Sequence, residues 1–233
     1  MGCDIHIFVE VKKNNKWEIV KGKNPWYIWC KENNKDISEE NKYCYEGWIY
    51  DNRNYRTFSL LADVRNGVSA WGDAPATGHY IKPLSYLKGL PEDATEYVRE
   101  YLGYDCDIHS KNYLTLKELQ HINWNEPCKM ACLVDKKGYR EFIENGMPES
   151  WCGGCSGYII SNHDMERYIN GETVIGNDGN ILKDNSSVHT LINFTVSISE
   201  CCDDLKDVIE QLEGLLEDGI TNEDIRIVFG FDN

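Results

Sequence analysis

Residues 2–11 read Gly2-Cys3-Asp4-Ile5-His6-Ile7-Phe8-Val9-Glu10-Val11, and their alternation sets the terms for the fold. Ile5, Ile7, Val9 and Val11 fall on one side of an extended chain and Asp4, His6, Phe8 and Glu10 on the other, because successive side chains of a strand leave opposite faces. The pattern predicts a strand with one buried face. Asn14-Asn15, inside the polar stretch 12–16, marks a turn into a second strand over 17–20. At the far end of the chain Ile225, Ile227, Phe229 and Phe231 alternate in the same way up to Asp232. If that strand pairs beside the first, Asp232 comes close to Asp4 and His6.

Working inward from the C-terminus, Ile192, Phe194, Val196 and Ile198 alternate as a strand, and Leu205, Val208, Ile209, Leu212, Leu215 and Leu216 recur at helical spacing before Gly219. A strand–helix–strand unit of this length suits a parallel crossover, which would be right-handed. Helices are also predicted over 57–64, stopping near Asn66-Gly67, and over 92–102, stopping at Gly103. Thr115 with Glu118 three residues on is a capping box, and 161–169 reads as a short capped helix ending at Gly171. Asn177-Asp178-Gly179 marks a hairpin turn. Residues 67–82 read as a loop, and 125–160, with Pro127, Pro148 and glycines at 153, 154 and 157, as an irregular inserted subdomain. The expected class is α+β: a single domain over 1–233 whose mixed sheet includes the N- and C-terminal strands, with packed helices and a Cys-containing insertion at about 125–160.

A chain of 233 residues with 41% hydrophobic and 12% aromatic content can bury a real core. The net charge of −15 repels phosphate backbones and anionic lipid, which argues against general nucleic-acid binding. No run approaches the roughly 18 apolar residues needed to span a bilayer. The start turns acidic at Asp4 and shows no signal-peptide pattern, and His6 stands where a myristoylation signal needs Ser or Thr. A cytoplasmic location is expected, and with it ten cysteines held as thiols or metal ligands.

Asp4 and His6, two apart on the predicted strand, share a face and could hold a divalent ion (zinc or manganese) or act as acid and base. Asp107, His109 and Ser110 form a second grouping, and His109 is the candidate third catalytic or metal-binding residue. A third grouping is 51–54 with Arg53 and Tyr55, followed by Arg65 and Asn66, where two arginines at helix edges could fork onto phosphate or carboxylate. The candidate ligand-binding set is thus Arg53, Tyr55, Arg65, Asn66, Ser110 and Asp232, and Asp4, His6, Arg53 and His109 are expected to converge within one pocket. Cys128-x3-Cys132 and Cys152-x2-Cys155, 19 residues apart, approach a four-cysteine structural zinc pattern. Core cysteines are the alternative, since Cys132 lies in an apolar run.

Gly2-Cys3-Asp4-Ile5-His6, Arg53-Asn54-Tyr55 with Phe58, Leu61-Ala62-Asp63-Val64-Arg65-Asn66, Gly89-Leu90-Pro91-Glu92-Asp93, His109-Ser110 before Leu114-Thr115-Leu116, and the closing Arg226-Ile227-Val228-Phe229 with Phe231-Asp232-Asn233 together resemble a protein family of tailed phages and prophages. The resemblance covers both ends and the first half of the chain and matches 125–190 poorly. It implies a phage accessory gene, acting in the host cytoplasm, and brings no activity with it. Three readings follow. The first is a counter-defence protein that sequesters or cleaves a small anionic, nucleotide-derived signal. The second is a metal-dependent hydrolase using Asp4, His6 and His109. The third is a phage protein that binds a host protein and has no small-molecule site; a homo-oligomer is a further candidate partner state.

Overall fold

A computed structural model describes residues 2–69, 77–104 and 106–232. Met1, Asn233 and part of the expected loop, 70–76, lie outside the described residues. In chain order the strands are β1 (Asp4–Lys13), β2 (Lys16–Ile19), β3 (Gly22–Lys23), β4 (Tyr43–Cys44), β5 (Gly67–Ser69), β6 (Thr77–Tyr80), β7 (His109–Thr115), β8 (Pro127–Val134), β9 (Tyr158–Ile160), β10 (Val188–Ser197) and β11 (Ile225–Asp232). The helices are α1 (Pro25–Glu32), α2 (Tyr55–Ala62), α3 (Glu96–Tyr104), α4 (Leu116–Gln120), α5 (Lys136–Asn145), α6 (Asn162–Ile169), α7 (Ile198–Cys201) and α8 (Asp204–Glu213). The class is α+β, as expected. No helix among the described residues is long and apolar enough to cross a membrane.

The chain divides into two compact units. The first comprises Met1–Arg65, Lys82–Trp124 and Ser199–Asn233, and the second Asn66–Ile81 and Asn125–Ile198. The stretch 125–160, read from sequence as an insertion, therefore belongs to a unit that also takes in 66–81 and 161–198. Its sheet runs β5-β6-β8-β10-β9, with β10 antiparallel to β8 and parallel to β9. The expected loop over 67–82 is instead partly strand: β5 and β6 pair antiparallel, and β6 adds onto β8.

The first unit is built on the sheet β2-β1-β11-β7, antiparallel throughout. Asn14 and Asn15 both take positive φ, 50° and 61°, as a two-residue hairpin loop between β1 and β2 requires. β1 lies inside the sheet, and both its faces are covered. This corrects the expectation of one buried face: Phe8 and Glu10 are as buried as Ile7 and Val9. Phe8 packs with Val228, Ile108 and the α3 residues Val98 and Leu102. Glu10 is tolerated there because Arg226, its cross-strand partner, donates to it from Nε at 2.8 Å, while the Thr95 backbone N–H donates at 2.7 Å. The Arg226 guanidinium also reaches Asp93 at 2.8 Å and lies 3.7 Å from the Trp17 ring. A buried charge survives only when paired and hydrogen-bonded in this way.

The C-terminal strand–helix–strand is not a crossover within one sheet. β10 belongs to the sheet of the second unit, and β11 inserts between β1 and β7 of the first. Thr115 and Glu118 form the expected capping box of α4, and the Ser161 side chain caps α6. α2 ends at Ala62 and is capped by Asp63 in the left-handed conformation, short of the expected stop at Asn66-Gly67.

Candidate functional site

The antiparallel register of β1 and β11 places Asp4 opposite Asp232 and His6 opposite Gly230. Paired residues share a face, so Asp4, His6 and Asp232 leave the sheet together. Asp232 accepts the Asp4 backbone N–H at 3.1 Å, and its other oxygen lies 3.4 Å from His6 Nε2. Gly230 is required here: a Cβ on it would sit 2.5 Å from an Ile108 methyl carbon.

Two residues that sequence reasoning missed complete the surroundings of His6. Glu46, on the segment after β4, bridges to Phe8 and brings its carboxylate to 3.2 Å from His6 Nδ1. Tyr101 of α3 places its hydroxyl 3.3 Å from the same nitrogen. Neither carries a local sequence signal, because both arrive from distant segments. The hydrogen bond to Glu46 is the chief cause of a His6 pKa raised above its ordinary value, with Asp232 adding to it against the cost of burial. As an imidazolium the ring donates from both nitrogens, leaving no lone pair for a metal and no capacity to take a further proton.

Arg53 closes one side. It donates to Asp4 in a fork, Nε to Oδ1 at 2.7 Å and Nη2 to Oδ2 at 2.6 Å. This bidentate geometry commits the planar edge that would otherwise receive a phosphate. Above these groups is a depression of about 290 Å³ lined by Asp4, His6, Glu46, Asp51, Asn52 and Trp26 among others. Trp26 is 61% exposed and stacks on Trp29 with ring centroids 4.8 Å apart.

The other expected site residues lie elsewhere. His109 pairs with Phe231, which shares a face with Ile5, so its ring projects from the face opposite His6. The register shift between Phe229 and Phe231, next to Ser110 with its φ of 48°, produces this placement. His109 packs 6.4 Å from the Phe231 ring and bonds Ser110 Oγ at 2.9 Å. A single pocket holding Asp4, His6, Arg53 and His109 is therefore excluded, and Ser110 goes with His109. Tyr55 donates no side chain to the depression either: its hydroxyl accepts the Cys3 backbone N–H at 3.2 Å, and the Arg65 guanidinium lies 5.9 Å from its ring. Asn66 serves the backbone, bonding both Ile81 N and Ile81 O.

The cysteine pairs do not assemble as a zinc centre. Cys128 and Cys132 are buried along β8, and Cys152 bridges to Leu133 and bonds its carbonyl at 3.5 Å. None of the ten cysteines is in a disulfide. Among the described residues no three His, Cys, Asp or Glu side chains gather as a metal-ligand set, which also removes the Asp4–His6–His109 ion site. No family model, no curated protein and no solved structure matches this chain.

Proposed function

We propose that this chain acts by capturing a protein partner at the depression above His6, as a phage accessory protein working in the host cytoplasm, rather than by hydrolysis. The observation that carries this reading is the double engagement of His6 by Glu46 and Asp232, which occupies both ring nitrogens and so weighs against their use as a base or metal ligand. The depression is small, at about 290 Å³. Its rim is exposed indole, the side-chain type enriched where protein interfaces concentrate their affinity.

One observation favours the nucleotide-derived ligand instead: the stacked Trp26–Trp29 pair is a platform on which a base could lie. Opposing it, Asp4, Glu46 and Asp51 line the depression, Asp232 stands against His6, and Arg53 is already forked onto Asp4. A photocrosslinking residue, p-benzoylphenylalanine, placed at position 26 and irradiated in host cells separates the two. The expected result is a discrete protein adduct, competed by unlabelled chain and missing when the same residue replaces Tyr86. A nucleotide that co-purifies, is seen by native mass spectrometry and leaves on heating, without any protein adduct, would replace this reading with the second.

A further inference from the structure

From α3, Tyr101 reaches His6 beneath the depression, and along that helix the exposed groups include tyrosines. At 100° per residue Tyr97, Tyr101 and Tyr104 fall within a narrow stripe of the helix, while Val98 and Leu102 point to the core. The stripe is open: Tyr97 is 45% exposed, Tyr101 37% and Tyr104 84%. Tyr97 and Tyr101 lie nearly parallel, ring centroids 6.4 Å apart, and Tyr45 packs against Tyr97 at 5.0 Å. Tyr101 joins stripe and depression through its contact with His6.

We infer, on the premise of partner capture, that the captured segment is basic: an extended stretch of the partner carrying arginine or lysine, laid along Tyr97, Tyr101 and Tyr104 with one cation reaching the carboxylates around His6. Three observations carry this. The first is charge. Glu96 and Glu100 lie along one side of the stripe on α3, and Glu46, Asp4 and Asp232 stand at its His6 end, whereas Arg99 lies on the far side of the helix. The positive groups beside these carboxylates include His6, held by Glu46 and Asp232, Arg53, held by Asp4, Lys21, and Lys111, whose Cγ lies 3.4 Å from where a Gly230 Cβ would stand. The second is a precedent within the chain: Lys21 Nζ lies 4.5 Å from the centre of the Tyr45 ring, so a cation already caps one end of the aromatic row. The third is spacing. Alternate side chains of an extended segment stand about 6.6 Å apart, which matches the 6.4 Å between the Tyr97 and Tyr101 rings. An arginine on every second residue would therefore meet one ring after another.

The test is fluorescence anisotropy with fluorescein-labelled peptides of about ten residues in alternating Arg–Ser, Leu–Ser and Glu–Ser sequence, at low salt, where the Debye length exceeds about 10 Å. The Arg–Ser peptide is expected to bind. The double variant Tyr97→Ser/Tyr101→Ser should weaken it at least about tenfold, the scale of losing two cation–ring contacts. Tyr86→Ser, outside the stripe, should hold within about twofold. Circular dichroism checks folding, and Tyr104→Ser, on the most exposed ring, gives the same test, at about threefold, if the double variant unfolds. Equal affinity for wild type and the serine variants would overturn the inference, because net charge alone would then account for binding. Tyrosine-dependent binding of the Leu–Ser peptide would overturn the basic partner while leaving capture intact. If no peptide binds, the basic segment is refuted, and the position-26 crosslink decides separately whether capture falls with it.

Discussion

Replacing His6 with glutamine tests the electrostatic premise of the site. The ring meets Glu46 at 3.2 Å, Asp232 at 3.4 Å and the Tyr101 hydroxyl at 3.3 Å. The His6 side chain is 20% exposed and its carboxylate partners 35% and 39%, so each ion pair belongs near the top of the solvent-screened range. That is about 0.5–1 kcal/mol apiece, or ~1–2 kcal/mol together. The sign follows from the direction of the shift. His6 has a folded-state pKa raised above its ordinary 6.5, so its charged form is preferred by the native state. Its stabilisation is fully present below about pH 6.5 and is lost as pH rises through the folded value. His6→Gln should therefore melt about 2–8 °C below wild type at pH 5.5, taking roughly 2–4 °C per kcal/mol for a chain of this size. Well above the folded pKa the gap should narrow to whatever packing against Tyr101 contributes. Thermal melts at the two pH values, with the His6 ring nitrogens followed by NMR through the same range, provide the assay. A gap that stays constant or widens with pH, or a ring midpoint at or below 6.5, refutes the argument. His6 would then be neutral with a lone pair free, and acid–base or metal chemistry would return to consideration.

The remaining expectations concern the frame of the site. Arg226→Met leaves Glu10 buried without its partner and should cost about 3–5 kcal/mol in urea unfolding of the first unit; a loss under about 1 kcal/mol would show that the pair is not dehydrated as described. Thr115→Ala removes the α4 cap and should cost about 1 kcal/mol, with Ser restoring most of it. Denatured protein should titrate ten thiols, and three or more stable disulfides after cytosolic expression would contradict the structure. Chelation with EDTA should leave the melting temperature unchanged; a drop would revive the four-cysteine zinc site that the placement of Cys128 and Cys152 argues against.

Much of the first unit was legible because its signals are local. The strand over 4–11, the Asn14-Asn15 turn and the Thr115–Glu118 box each depend on neighbours within a few residues, and each appears where the pattern places it, although the strand buries both faces rather than one. The proximity of Asp232 to Asp4 and His6 was legible only conditionally, since it rests on β1 pairing with β11 across almost the whole chain. His109 illustrates how such reasoning fails. Its spacing from Asp107 and Ser110 says nothing of the register shift that turns it to the Ile5 face, and a one-residue change in register reverses every side chain.

The sequence by itself determined the α+β class, the strands at both ends and the capped helices, because alternation, helical periodicity and capping act through nearest neighbours. Only the tertiary structure decided that β1 is buried on both faces, that β10 and β11 belong to different sheets, and that Glu46 and Tyr101 meet His6. Glu10 shows why. A carboxylate in the middle of a strand reads as solvent-facing until an arginine 216 residues away arrives to neutralise it. Pairing over that separation is selected by the free energy of the whole assembled sheet, and no window of neighbouring residues contains it.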